Sequence, residues 1–181
     1  NYTLLELPHA GPMVATSAAA RDYAVTIVRH FLYAALMVPM WEALSTSADA
    51  ELAAIAAKSL KEMRYHLAHT RDWLVRFGDG TEVSHARAQA ALDWLMPYTN
   101  ECFATDAVED AVAEAGIGVR PADVRPAWEA TVRSALHEAT LAWPEPGPYV
   151  STGKHGVHSE HMGFLLAEMQ GLARQFPGAS W

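Results

Sequence analysis

One cysteine, Cys102, stands in 181 residues, so the chain cannot close an internal disulfide. That sparing use of thiols suits a reducing cytosol, and cytoplasmic is the expected location. Basic residues are also scarce. Thirteen Lys and Arg against 21 Asp and Glu leave a net charge of −8. A phosphate backbone is repelled by that balance and no basic stripe offsets it, so nucleic acid is not an expected partner. The longest uncharged apolar run, Phe31 to Trp41, falls short of the about 20 residues that span a bilayer. No basic-then-apolar leader opens the chain, and no membrane is expected. No segment alternates apolar and polar residues as a strand does, and there is no repeat or low-complexity tract. No Gly-rich loop joins a strand to a helix, and Gly78-Asp79-Gly80 reads as a helix stop. Ser151 and Ser159 lie near histidines without a nucleophile elbow around them. Cys102 has no activating neighbour and reads as a small buried hydrophobe.

What is present is helix. Apolar residues are 51% of the chain and charged residues 19%, the composition of a globular domain, and 181 residues suit a single one over 1–181. Residues 1–16 read as an extended arm broken at Pro8, Gly11 and Pro12. Ser17 is the candidate N-cap of a helix to Leu44, with Pro39 a kink and Phe31–Trp41 apolar nearly all round. That all-round segment is the candidate contact with a partner. A second helix follows Asp49 and runs to Phe77 on a face of Leu52, Ala56, Leu60, Met63, Leu67 and Leu74. Gly78 suits the left-handed position that ends it. Thr81 caps a third helix to about Tyr98, and Thr105 a short one to Ala115. Pro126 suits the first turn of a helix ending at Trp143, whose face is Val124, Trp128, Val132, Ala135 and Ala139. The last helix runs from about Val157 to Gln175, and Trp181 is a candidate end anchor. Long helices joined by breakers make an all-α bundle of about six helices.

The residues that could carry chemistry are histidines and glutamates. A di-iron bundle takes a Glu from each of two helices and Glu-x-x-His from each of two others. Glu6-x-x-His9 matches the spacing but contains Pro8, and Glu82-x-x-His85 falls in a first turn, where an acid answers the macrodipole. Glu62 and His66 are spaced i, i+4, with His69 and Trp73 continuing their stripe. This is either a ligand pair or a hydrogen-bonded pair lining a bundle. In the last helix His158, His161 and Glu168 share a face, and Glu160 points nearly opposite. His158 and His161 could share one ion. Glu168 lies about 10 Å further along the axis at 1.5 Å per residue, too far to join them. Glu138 flanks the core face of the fifth helix, His137 faces away from it, and Arg64 and Arg71 belong to a solvated face. An oxidase acting alone would have Glu62, His66, Glu138, His158 and His161 as its di-iron or di-manganese ligands. The other reading is the polar lining of a bundle that holds no metal. A free-standing acyl-CoA binder is a third, and it lacks a cationic pocket for the phosphates.

Three stretches look familiar together. Lys61-Glu62-Met63-Arg64-Tyr65-His66-Leu67, Gly78-Asp79-Gly80-Thr81-Glu82 and Gly153–Gly163 resemble the structural subunit of the bacterial phenylacetyl-CoA epoxidases, the ring 1,2-epoxidases of phenylacetic acid degradation. So do Glu138–Leu141, Leu165–Gln170 and the Pro177-Gly178…Trp181 ending. The resemblance covers essentially the whole chain. It implies a ferritin-like helical subunit, structural rather than catalytic and itself without metal or cofactor. Its implied partner is a related catalytic subunit that holds a di-iron centre. The implied assembly is a hetero-oligomer, with a homodimer as the form of the chain alone. It epoxidises the ring of phenylacetyl-CoA with O2 and NADPH, through a flavin and iron-sulfur reductase. The family usually carries more helix ahead of the segment resembling Asn1 to Pro8. The implied bundle is therefore short of an N-terminal helix, with one wall missing or supplied otherwise. Contacts with the CoA ester are implied at Asn1 and at Asp110, Ala111 and Val112. Asp110 stands where the family has an apolar residue, and an acid beside a CoA phosphate is unfavourable.

Overall fold

The computed structural model describes residues 2–9 and 22–180. The Ser17 cap, Asn1, Trp181 and the part of the expected arm beyond His9 lie outside them. Six α-helices follow in order: α1 (Tyr23–Leu44), α2 (Ala50–Gly78), α3 (Glu82–Leu95), α4 (Ala107–Glu114), α5 (Pro121–Glu138) and α6 (His161–Gln175). Three 3-10 segments accompany them, and no strand occurs among the described residues. The expected all-α, ferritin-like helical bundle is what is found.

Local chemistry explains most of the boundaries. Asp22 caps α1 by accepting from Ala24 N, and Asp49 caps α2 by accepting from Glu51 N and Leu52 N. Thr81 and Ser84 exchange hydrogen bonds as a capping box at α3. Asp106, not Thr105, caps α4, because Glu109 three residues on can close the reciprocal bond. Pro121, not Pro126, takes the first position of α5, and Pro126 sits within the helix. α5 stops at Glu138, short of Trp143, because Thr140 turns left-handed at φ 56°. α3 ends at Leu95, and the chain tightens into a 3-10 helix over Met96–Phe103, with Pro97 in its first turn. Gly78 is not in the left-handed conformation expected of it. It closes α2 where a Cβ would stand 1.9 Å from the Ala139 carbonyl oxygen, so its role is close approach.

The core lies between α1, α2, α3 and α5. From α5 and its C-cap it takes Val124, Trp128, Val132, Ala135 and Ala139, the face expected from periodicity. From α1, which is buried on more than one side, it takes Val25, Val28, Phe31, Leu32 and Leu36 among others. Trp128 satisfies its indole by donating to Leu32 O at 3.0 Å. By length and composition α1 is a helix that could cross a membrane, which Phe31–Trp41 alone is not; here it is the central core helix. Phe31–Leu36 is buried within this chain except for the half-buried Tyr33, and Met37–Trp41 is half-buried, so at most the second part of that segment is open to a partner. The turn Thr3–Leu5 buries Leu4, and residues 2–9 are an inserted plug instead of an extended arm.

Candidate functional site

Two buried carboxylates organise the end of the molecule where residues 2–9 meet residues 151–159. Glu6 is 4% exposed and Glu101 1%. Glu101 lies in the 3-10 segment, which is covered on every side at its end, so that Glu101, Cys102 and Phe103 are all buried although three consecutive side chains of such a helix point different ways. Its carboxylate accepts from Thr3 N at 2.9 Å, Ser151 Oγ at 2.6 Å and Lys154 N at 2.5 Å. Glu6 follows the turn Thr3–Leu5 and accepts from His158 Nδ1 at 2.7 Å, Ser159 N at 2.8 Å and Ser159 Oγ at 2.9 Å. Because an ionised carboxylate only accepts, Nδ1 is the protonated nitrogen of His158 in this pair. Lys154 adds a cation nearby, its Nζ donating to Ala104 O and to Glu109. Beside these contacts is a cleft of about 360 Å³ bordered by Tyr98, Tyr149, Ser151, His158 and His161.

Burial pushes both carboxyls up, yet the donors outweigh it. The Ser159 amide, the His158 ring and the Ser159 hydroxyl hold Glu6 below the ordinary glutamate value. The Ser151 hydroxyl and the Lys154 and Thr3 amides do the same for Glu101. A folded-state pKa below the unfolded one means stability that is present above the unfolded value, about 4.3, and lost as the pH falls through the folded values. Thermal melts of the wild-type chain are therefore expected to fall steeply below about pH 4.3, and Glu101→Gln to flatten that fall. An equal slope in both proteins would mean that Glu101 does not set the acid limit of the fold. Burial pushes the Cys102 thiol up to about 12, as befits an inert core position.

The other sequence candidates disperse. Glu62, His66 and His69 are exposed on α2. Glu138 is exposed at the end of α5 and pairs with Arg71, while Arg64 pairs with Glu42 at 2.8 Å. His137 is exposed. His158 is spent on Glu6 and lies ahead of α6, which starts at His161 and not at Val157, so His158, His161 and Glu168 do not form one helical face. Glu6 and His9 also part company, since His9 meets Thr26 Oγ1 and the Arg29 guanidinium. His85 Nδ1 pairs with Gly78 O. Among the described residues no three His, Cys, Asp or Glu gather as a metal site, so the five ligands of the stand-alone oxidase are not brought together. Of the implied CoA contacts, Asp110 on α4 is tied to Arg120 Nε at 2.6 Å, while Ala111 and Val112 are exposed.

α6 differs most from expectation. It does not line the bundle, for none of its residues is buried. Phe164 is 74% exposed, Met169 72% and Leu172 56%, with Leu165 and Phe176 beside them. Leu165, Met169 and Leu172 follow the i, i+4, i+7 spacing of one helical stripe. Phe164, Leu165, Met169 and Leu172 thus leave one side of α6 apolar and exposed.

Comparison with known proteins agrees with the resemblance in the sequence. The family model described as "Phenylacetic acid catabolic protein" matches residues 1–181. An Escherichia coli (strain K12) protein named as a subunit of 1,2-phenylacetyl-CoA epoxidase is 45% identical over 160 residues. Those residues are 88% of this chain and 64% of that relative, so the chain spans just under two thirds of the relative's length. On the match along its whole length, the chain belongs to the phenylacetic acid catabolic protein family.

Proposed function

We propose that the chain is a structural subunit of a multicomponent phenylacetyl-CoA epoxidase in phenylacetate catabolism. In this reading it packs against a di-iron catalytic subunit, stabilises it, and helps to shape the mouth of the acyl-CoA site. The di-iron centre and the NADPH-dependent reductase belong to other chains. The carrying observation is α6, whose exposed Phe164, Met169 and Leu172 need a protein surface to cover them. The similarity to a protein named as an epoxidase subunit supports this choice of assembly. The dispersal of Glu62, His66, Glu138, His158 and His161 weighs against the rival, an oxidase complete in this chain.

The reading is tested by assaying phenylacetyl-CoA turnover by the catalytic subunit and its reductase, with and without this chain. Turnover is expected to depend on the chain and to be unchanged by Glu62→Ala or His66→Ala. Near-stoichiometric iron in the isolated chain, lost on Glu62→Ala, would instead establish the rival.

A further inference from the structure

The contacts at Glu6 and Glu101 fall on one continuous stretch, residues 151–159, which connects the bundle to α6. Glu101 holds its beginning through Ser151 Oγ and Lys154 N, and Gly153 N donates to Thr3 Oγ1 at 3.2 Å. Glu6 holds its end through His158 and Ser159. Between the two fastenings the chain turns through Gly156 at φ 85°, a position where a Cβ would meet nothing within 4 Å. His155, Gly156 and Val157 are exposed. Beyond them α6 has no side-chain cap and no buried residue, and only a few of its side chains, among them Met162, Leu166 and Gln170, are half-buried.

We propose that residues 151–159 are a releasable strap and α6 an arm behind it, whose pose is set by hydrogen bonds to Glu6 and Glu101 more than by its light packing. The two fastenings are separable because the Gly156 turn lies between them. Opening the Glu6 fastening frees α6 alone, and opening the Glu101 fastening frees the strap and the Thr3–Leu5 turn as well. Neither requires the core to open, because Val25, Phe31 and Leu92 are fully buried elsewhere and exchange only through larger unfolding. Glu6 is a positioning residue in this scheme, and the fastening stands whether or not α6 meets a partner.

The test is hydrogen exchange of the intact 181-residue chain, read by segment in wild type, Glu6→Gln, Ser159→Ala and Glu101→Gln. Glutamine keeps the shape of the carboxylate but loses one acceptor, and Ser159→Ala removes one bond without touching the N-terminal turn. Glu6→Gln is expected to speed exchange over residues 159–175 by about tenfold, the scale of a lost hydrogen bond to a charged group, with residues 23–44 unchanged. Ser159→Ala is expected to act on the same segment more weakly. Glu101→Gln is expected to extend the faster exchange to residues 3–5 and 151–155. Unchanged exchange in α6 for Glu6→Gln and Ser159→Ala would overturn the proposal. So would acceleration spread equally over α1, since the fastening would then be part of the global fold.

Discussion

Replacing Glu101 by alanine is expected to lower the unfolding free energy by about 3–5 kcal/mol. The carboxylate is 1% exposed, and three donors from two distant parts of the chain converge on it. Alanine leaves Thr3 N, Ser151 Oγ and Lys154 N facing a cavity. Each stranded donor costs about 1–3 kcal/mol, offset in part because a buried charge is no longer desolvated. Glu101→Gln preserves the volume and one acceptor, and about 1–2 kcal/mol is expected for it. Urea unfolding separates these outcomes through the midpoint, with the slope unchanged. A loss under about 1 kcal/mol for alanine would mean that water replaces the carboxylate and that the site is not closed.

The second large effect is expected at Gly78. A Cβ there would lie 1.9 Å from Ala139 O, 2.8 Å from Ala139 C and 2.9 Å from Ala139 Cβ. The first two are backbone atoms, which cannot rotate away. Thr140 Oγ1 also donates to Gly78 O at 3.2 Å, so the ends of α2 and α5 are locked to each other. Gly78→Ala is expected to cost about 3 kcal/mol, at the upper end for overpacking. Gly78→Asn separates this cause from the left-handed one. Asparagine is tolerated where a positive φ is the requirement, but it should be at least as harmful as alanine where space is. If asparagine rescued the alanine loss, close approach would be the wrong explanation.

Gly78 also shows how far the sequence can be read. Its place at a helix end is legible from the Gly-Asp-Gly triplet, because stop signals are local. Its reason is not, because Ala139 is brought to it only by the packing of α5. The same division holds elsewhere. Asp49 and Thr81 announce α2 and α3 because a cap acts within three residues. The buried face of α5 follows from periodicity alone, whereas α1 is buried on more than one side and has no single face to read. The roles of Glu6 and Glu101 escape a reading of the sequence because their partners are 152 and 98 residues away in it. One signal is available: each acid adjoins apolar residues, in Thr3-Leu4-Leu5-Glu6-Leu7 and Glu101-Cys102-Phe103, and an acid so placed is buried only when paired. The histidine-rich stretch ahead of α6 points to the right region with the wrong chemistry. Spacing cannot tell that His158 precedes the helix, or that the apolar stripe after it faces outward.

That outward face is where the proposed catalytic subunit would bind, and the most direct measurement is the affinity of this chain for that proposed di-iron partner, by sedimentation or calorimetry. A complex with a Kd below about 1 μM is expected, weakened about 100-fold or more by Phe164→Glu combined with Leu172→Glu, as for apolar anchors at an interface centre. No complex at micromolar concentrations, or one that the double substitution leaves intact, would contradict it.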